Sequence, residues 1–131
     1  MKLPSLLLAS IALVSVCSAE RRVELEQATV MDLQAAFAAG TLSSEKLIQL
    51  SLRRIEAYDE RGPSLNAILA LNPKALETAK ALDRERAEKG PRSLLHGVPV
   101  VLKDNFDTFD LPTTGGSPVF NGTPPEHDAF V

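Results

Sequence analysis

The sequence predicts a chain that combines helices with short strands, and three observations predict it. Apolar residues recur at helical spacing across residues 29–59 and again across 75–82. Capping residues bracket each of these stretches. The period then changes, and Val98–Lys103 forms a dense apolar run of strand length that closes on a lysine.

Each element has its own justification. Residues 20–28 are charged without a clear period and read as an arm leading into the first helix. Thr29 and Asp32 have the spacing of a capping box, Leu33, Ala36 and Phe37 share one face, and Gly40 sits where a left-handed terminator belongs. A second helix is predicted from Ser43 or Ser44 to about Asp59. Ile48, Leu52 and Ile55 form its stripe, Leu47 and Tyr58 flank it, and Arg61-Gly62-Pro63 stops it. Asn66–Leu71 reads as a short buried strand. Asn72 and Pro73 then have the character of an N-cap and a first helical residue. The third helix carries Ala75, Leu76, Ala79 and Leu82 on one face and ends at Gly90-Pro91, with Asp83–Lys89 expected as a solvated surface. Val98–Lys103 is the second predicted strand, with Pro99 near its start where a missing N–H does least harm. Beyond Asp104 the abundance of Gly, Pro, Thr and Asn predicts an ordered loop.

Composition narrows the function classes. The 131 residues have room for one domain at most, and 44% apolar with 24% charged content is ordinary for a globular protein. The formal charge of −3, without a basic run, argues against a nucleic-acid partner. With no tryptophan, one tyrosine and five phenylalanines, a stacking platform for bases or sugars is not expected. The N-terminus is of another kind: Lys2, an apolar stretch from Leu6 to Val16, and the small-x-Ala sequence Cys17-Ser18-Ala19. This is the layout of a secretory signal peptide, residues 1–19, cleaved after Ala19. The apolar run is short for a permanent membrane anchor. Lipidation at Cys17 is disfavoured because Val16 is bulkier than the small residue such processing prefers. Removing 1–19 takes away Lys2 and Cys17, so the remainder carries a formal charge of −4 and no cysteine. That excludes a disulfide, a thiolate nucleophile and a cysteine-based zinc site, and it fits a periplasmic or secreted protein.

The chemistry centres on Lys103. Burying an ammonium is costly, so a lysine closing an apolar strand is paired or pushed toward its neutral form, and a neutral lysine is a base. By spacing alone, snorkelling or pairing with a carboxylate such as Asp104 is the commoner role. Asp104 itself reads as an orienting hydrogen-bond acceptor or an exposed cap of the next loop. His96 and His127 lack ligand spacing to another His, Asp or Glu pair and read as structural or exposed; no metal or cofactor is expected. Ser43, Ser44 and Ser51 belong to helices, Ser64 and Ser93 to turns, and Ser117 lacks the nucleophile-elbow pattern. Asn121-Gly122-Thr123 fits an N-glycosylation pattern, but a simple turn is favoured.

Leu95, Gly97, Pro99, Lys103 and Asp104 together resemble the lysine segment of the amidase signature family, and Leu111–Ser117 resembles that family's next loop. The resemblance implies an α/β fold in which helices cover a mixed central sheet, with residues 20–131 as an incomplete N-terminal part of it. It implies hydrolysis of a carboxamide C–N bond in a small-molecule amide by a Ser–Ser–Lys triad. Lys103 takes the place of the base, Asp104 and Ser117 support it, and both serines lie downstream of these residues. The chain by itself is therefore expected to be inactive. Two other readings remain. A small secreted helical binding module explains the helices but not the lysine segment. A transamidation component that works on misacylated tRNA is a related branch, and the signal peptide argues against that intracellular task.

Overall fold

The computed structural model describes residues 24–120 and 122–130. Residues 1–19, expected from sequence to be a signal peptide, and Asn121 of the Asn-Gly-Thr pattern lie outside them. Helix α1 (Val30–Ala38) starts at the capping box expected from sequence. Asp32 N–H donates to Thr29 Oγ1 at 3.2 Å while Thr29 N–H donates to Asp32 Oδ2 at 3.0 Å. Its end is a Schellman closure: Gly40 N–H reaches Phe37 O at 3.1 Å and Thr41 N–H reaches Ala36 O at 3.1 Å. Gly40 takes φ +68°, the left-handed turn that suits glycine.

Helix α2 (Ser44–Ile55) is capped by Ser43, whose hydroxyl accepts from Lys46 N–H at 3.1 Å. It stops earlier than the sequence predicts. From Glu56 to Glu60 the backbone widens into a π-helical turn, and this rotates Asp59 inward. The buried Asp59 carboxylate then accepts Ala67 N–H at 2.7 Å and Ile68 N–H at 3.2 Å.

The strand expected over Asn66–Leu71 does not form here. The N–H groups of Ala67 and Ile68 are committed to that carboxylate, and the segment lies open, with Leu69 68% exposed. Helix α3 (Ala75–Lys89) begins two residues later than Asn72-Pro73 suggests. Asn72 closes a tight turn instead, its side chain accepting from Lys74 N–H at 2.8 Å and its carbonyl from Ala75 N–H at 3.1 Å.

The core joins Leu33 and Phe37 of α1 to Leu47 of α2, with Ala28, Leu42 and Val98 packed against it. Ala79 is buried where α3 packs on α2. In α2 the deepest apolar residue is Leu47, with the predicted stripe of Ile48, Leu52 and Ile55 only half-buried. The second predicted strand is also absent. Val98 packs on the core, but Val100, Val101 and Leu102 are 64%, 79% and 56% exposed. A strand needs a neighbour to take its N–H and C=O groups, and among the described residues none runs beside it. An isolated bridge between Thr108 and Leu111 closes a local turn.

The region after Asp104 is an ordered loop, as expected. Ala129 N–H donates to Asp107 O at 2.9 Å and Phe109 N–H to Asp128 Oδ1 at 3.0 Å. Asn72 Nδ2 donates to Asp110 and ties the loop back to the start of α3. Among the described residues no helix is long and apolar enough to cross a membrane.

Candidate active site

The approach to Lys103 is built by the helices. The face of α3 that begins with Ala79 continues through Asp83 and Arg86 at i+4 and i+7, so these two charged side chains point toward α1 and α2 rather than to solvent. Asp83 accepts from Ser44 N–H at 2.8 Å and from Glu45 N–H at 2.9 Å, placing a carboxylate on the positive end of α2. Arg86 lies over the Phe37 ring at 4.8 Å and donates to Gln34 Oε1 at 3.0 Å and to His96 O at 2.7 Å. Gln34 Nε2 adds bonds to Leu94 O at 2.8 Å and His96 O at 3.1 Å. The expectation of a solvated surface over Asp83–Lys89 therefore fails for these two residues. The signal that finds them is their helical register with Ala79.

His96 is buried. Its Nδ1 accepts from Arg92 N–H at 3.2 Å and its Nε2 faces Leu82 O at 2.9 Å, a pairing that suits the tautomer protonated on Nε2. It is a structural histidine, as its sequence context indicates. Arg92 pairs with Glu85, and this bond holds the Glu85 carboxyl below its usual range. Gly97 takes φ +79°, and a Cβ there would run into Ser44, with Ser44 Cβ 3.1 Å away. That glycine lets the backbone leading to Lys103 lie directly on the start of α2.

Lys103 stands five residues beyond the last core contact, Val98, and is exposed. Its backbone carbonyl accepts from Phe106 N–H at 3.0 Å, turning the chain sharply after it. Asp104, half-buried, faces the Thr113–Ser117 loop. Its carboxylate accepts from Thr114 N–H at 3.0 Å, from Gly116 N–H at 3.0 Å and from the Thr114 hydroxyl. The Thr114 hydroxyl, then the Thr114 and Gly116 N–H groups, hold the Asp104 carboxyl below its ordinary value near 3.8, and the Lys103 charge acts in the same direction. Ser117 Oγ accepts from Val119 N–H at 3.4 Å, capping the 3₁₀ turn Pro118–Phe120. The structure thus brings Asp104 and the loop ending in Ser117 together beside Lys103. An open, largely apolar hollow of about 930 Å³, lined in part by Phe37, Leu42, Ala87, Pro91 and Leu94, includes none of residues 98–117.

The Amidase family profile matches residues 46–131, which takes in α2, α3, the lysine segment and the loop. The chain belongs to the amidase family. An Arabidopsis thaliana protein named as an amidase is 42% identical over 110 residues, 82% of this chain and 21% of its own length. A glutamyl-tRNA(Gln) amidotransferase component from Myxococcus xanthus is 40% identical over 110 residues, 83% of this chain and 22% of its own. Among solved structures, the peptide amidase of Stenotrophomonas maltophilia superposes with a TM-score of 0.77 at 43% identity, over 81% of this chain and 22% of that one. The chain spans about a fifth of the length of the relatives it matches. Its described part follows the amidase fold of these structures, while the sheet expected from the family resemblance has no strand among the described residues.

Proposed function

We propose that these residues form the N-terminal part of an amidase in which Lys103 is the base of a Ser–Ser–Lys triad, hydrolysing a carboxamide through a seryl acyl-enzyme. The observation that carries this reading is the position of Lys103: it closes a segment anchored at Gly97 and Val98 and abuts a loop that Asp104 holds in place. In the first step the nucleophilic serine gives its proton, through the second serine, to the neutral Lys103 amine while its oxygen adds to the amide carbonyl. Backbone N–H groups stabilise the oxyanion, and the proton returns to the departing amine. Water then repeats the sequence on the ester. The mixed central sheet belongs to the same proposal, with Val98–Lys103 as one of its strands.

The substrate class is a small-molecule amide, and the peptide amidase among the solved relatives makes a peptide amide the first one to assay. The amidotransferase relative at 40% identity favours a second reading, transamidation within a larger assembly. The leader-like residues 1–19 separate the two readings, because they point to export into the periplasm or medium. Mass spectrometry of exported protein should find Glu20 as the first residue; Met1 retained on cytosolic protein would support transamidation instead.

The decisive test is made in the full-length enzyme. Lys103→Ala should slow acylation by at least roughly 10²–10⁴-fold, the worth of a general base, and Lys103→Arg should rescue little because a guanidinium stays charged. Near-wild-type turnover in Lys103→Arg would remove the mechanism.

A further inference from the structure

The Thr113–Ser117 loop has the form of an anion cradle. Gly115 and Gly116 take φ +58° and +78° in succession, so the backbone curls and turns nearby N–H groups to one side. Beside a catalytic lysine such a cradle invites assignment as an oxyanion hole. The bonds argue otherwise, because its donors are already engaged. Thr114 N–H and Gly116 N–H both point to the Asp104 carboxylate at 3.0 Å. Gly115 N–H is taken by the Asp104 backbone carbonyl at 2.8 Å, and Ser117 N–H by Thr114 O at 2.9 Å. The Thr114 hydroxyl donates to the same carboxylate and accepts from Gly116 N–H at 3.1 Å.

We propose that Asp104 is a positioning residue: it is the resident anion of the Thr114–Gly116 cradle and locks that loop to the backbone next to Lys103. The loop is then a fixed wall of the site, and the donors that hold the substrate oxyanion come from outside residues 114–117. Neither glycine meets an atom within 4 Å of an added Cβ, so what the loop requires of them is their left-handed backbone, which aims the amides at Asp104. The catalytic consequence rests on the amidase reading; the clamp itself does not, and it can be tested without turnover.

Hydrogen exchange of the whole chain, followed by mass spectrometry at micromolar concentration, reads the clamp directly. The peptide spanning residues 110–120 should be protected in the wild type at neutral pH. In Asp104→Asn, which cannot supply two charged acceptor oxygens, it should exchange roughly tenfold faster or more, with the helix peptides unchanged. Thr114→Val removes only the hydroxyl donor and should give a smaller acceleration confined to the same peptide.

Acid provides a readout that a purely steric role would not move. The folded Asp104 carboxyl lies below its ordinary value near 3.8, so the clamp is fully present above that value and is lost as pH falls through the folded pKa. Lys103 is the charged neighbour acting on it. After correction for intrinsic rates, wild-type protection should therefore collapse only in strong acid, and Asp104→Asn should show no such step. Equal exchange in wild type and Asp104→Asn, an acid step that survives the substitution, loss of protection across α1–α3 as well, or no effect of Thr114→Val would each overturn the clamp. If the clamp holds and full-length enzyme turns over no amide, the amidase reading falls and this inference stands.

Discussion

Two adjoining stretches of the same motif behave in opposite ways. From Leu94 to Val98 the backbone is tied down: the carbonyls of Leu94 and His96 are held by Gln34 and Arg86, the imidazole is bonded on both nitrogens, and Gly97 lies against Ser44. From Val100 to Leu102 no such bonds exist among the described residues, and three apolar side chains stand in solvent. The first stretch gets its partners from helices nearby in sequence. The second is apolar enough for a strand, yet it has no hydrogen-bonding neighbour among the described residues. The family pattern thus joins two physically different parts: its glycine docks onto the helices, and the run that ends at its lysine stands free of them.

The comparison breaks most directly at Gly97. Gly97→Ala forces a side chain into Ser44 and places alanine at φ +79°. Overpacking and the left-handed penalty together should destabilise the fold by about 3 kcal/mol. Chemical denaturation with helix content as the signal measures it. A loss under about 1 kcal/mol would show that the 94–98 stretch is not rigidly seated on α2.

Asp83 sharpens the same side of the comparison. Its carboxylate caps two N–H groups at the start of α2, so Asp83→Ala should destabilise by about 2 kcal/mol, between an ordinary N-cap and a charged hydrogen-bonded pair. Asp83→Asn should recover part of this, because the amide oxygen can still accept one bond while the favourable charge at the helix end is gone. Indistinguishable stabilities for wild type and Asp83→Ala would return this residue to the solvated surface.

How much of this was legible in the sequence depends on the range of the interaction. The capping box at Thr29, the Gly40 closure and the 33/36/37 face are local patterns and appear where the residues indicate. The strands over 66–71 and 98–103 do not, because a strand is defined by its neighbour and not by its own residues. At 66–71 a buried carboxylate, Asp59, took the amides first. Asp83 and Arg86 were concealed by their charge, since a run of acids and bases ordinarily marks solvent; only their register with Ala79 indicates burial. At the site, Asp104 was recognisable as an acceptor, but the group it orients is the loop ten residues on, a pairing that sequence spacing does not encode.

The smallest expected effect lies on the open side of the comparison. The Lys103 side chain is exposed and makes no hydrogen bond or ion pair among the described residues, although its charge acts on the neighbouring Asp104 carboxyl. In this chain, Lys103→Ala and Lys103→Arg should both keep stability within about 0.5 kcal/mol of wild type, as exposed substitutions away from packing do. The alanine variant gives up only a weak, screened attraction to Asp104. That near-neutrality matters because a structural lysine predicts a different order: alanine would lower the melting temperature and arginine would restore it. The same pair of variants that, on the proposed mechanism, should slow acylation in the full-length enzyme should therefore leave the melting curve of this chain almost unmoved. A drop beyond about 1 kcal/mol in Lys103→Ala, recovered in Lys103→Arg, would place Lys103 with the anchored stretch and make it a structural residue.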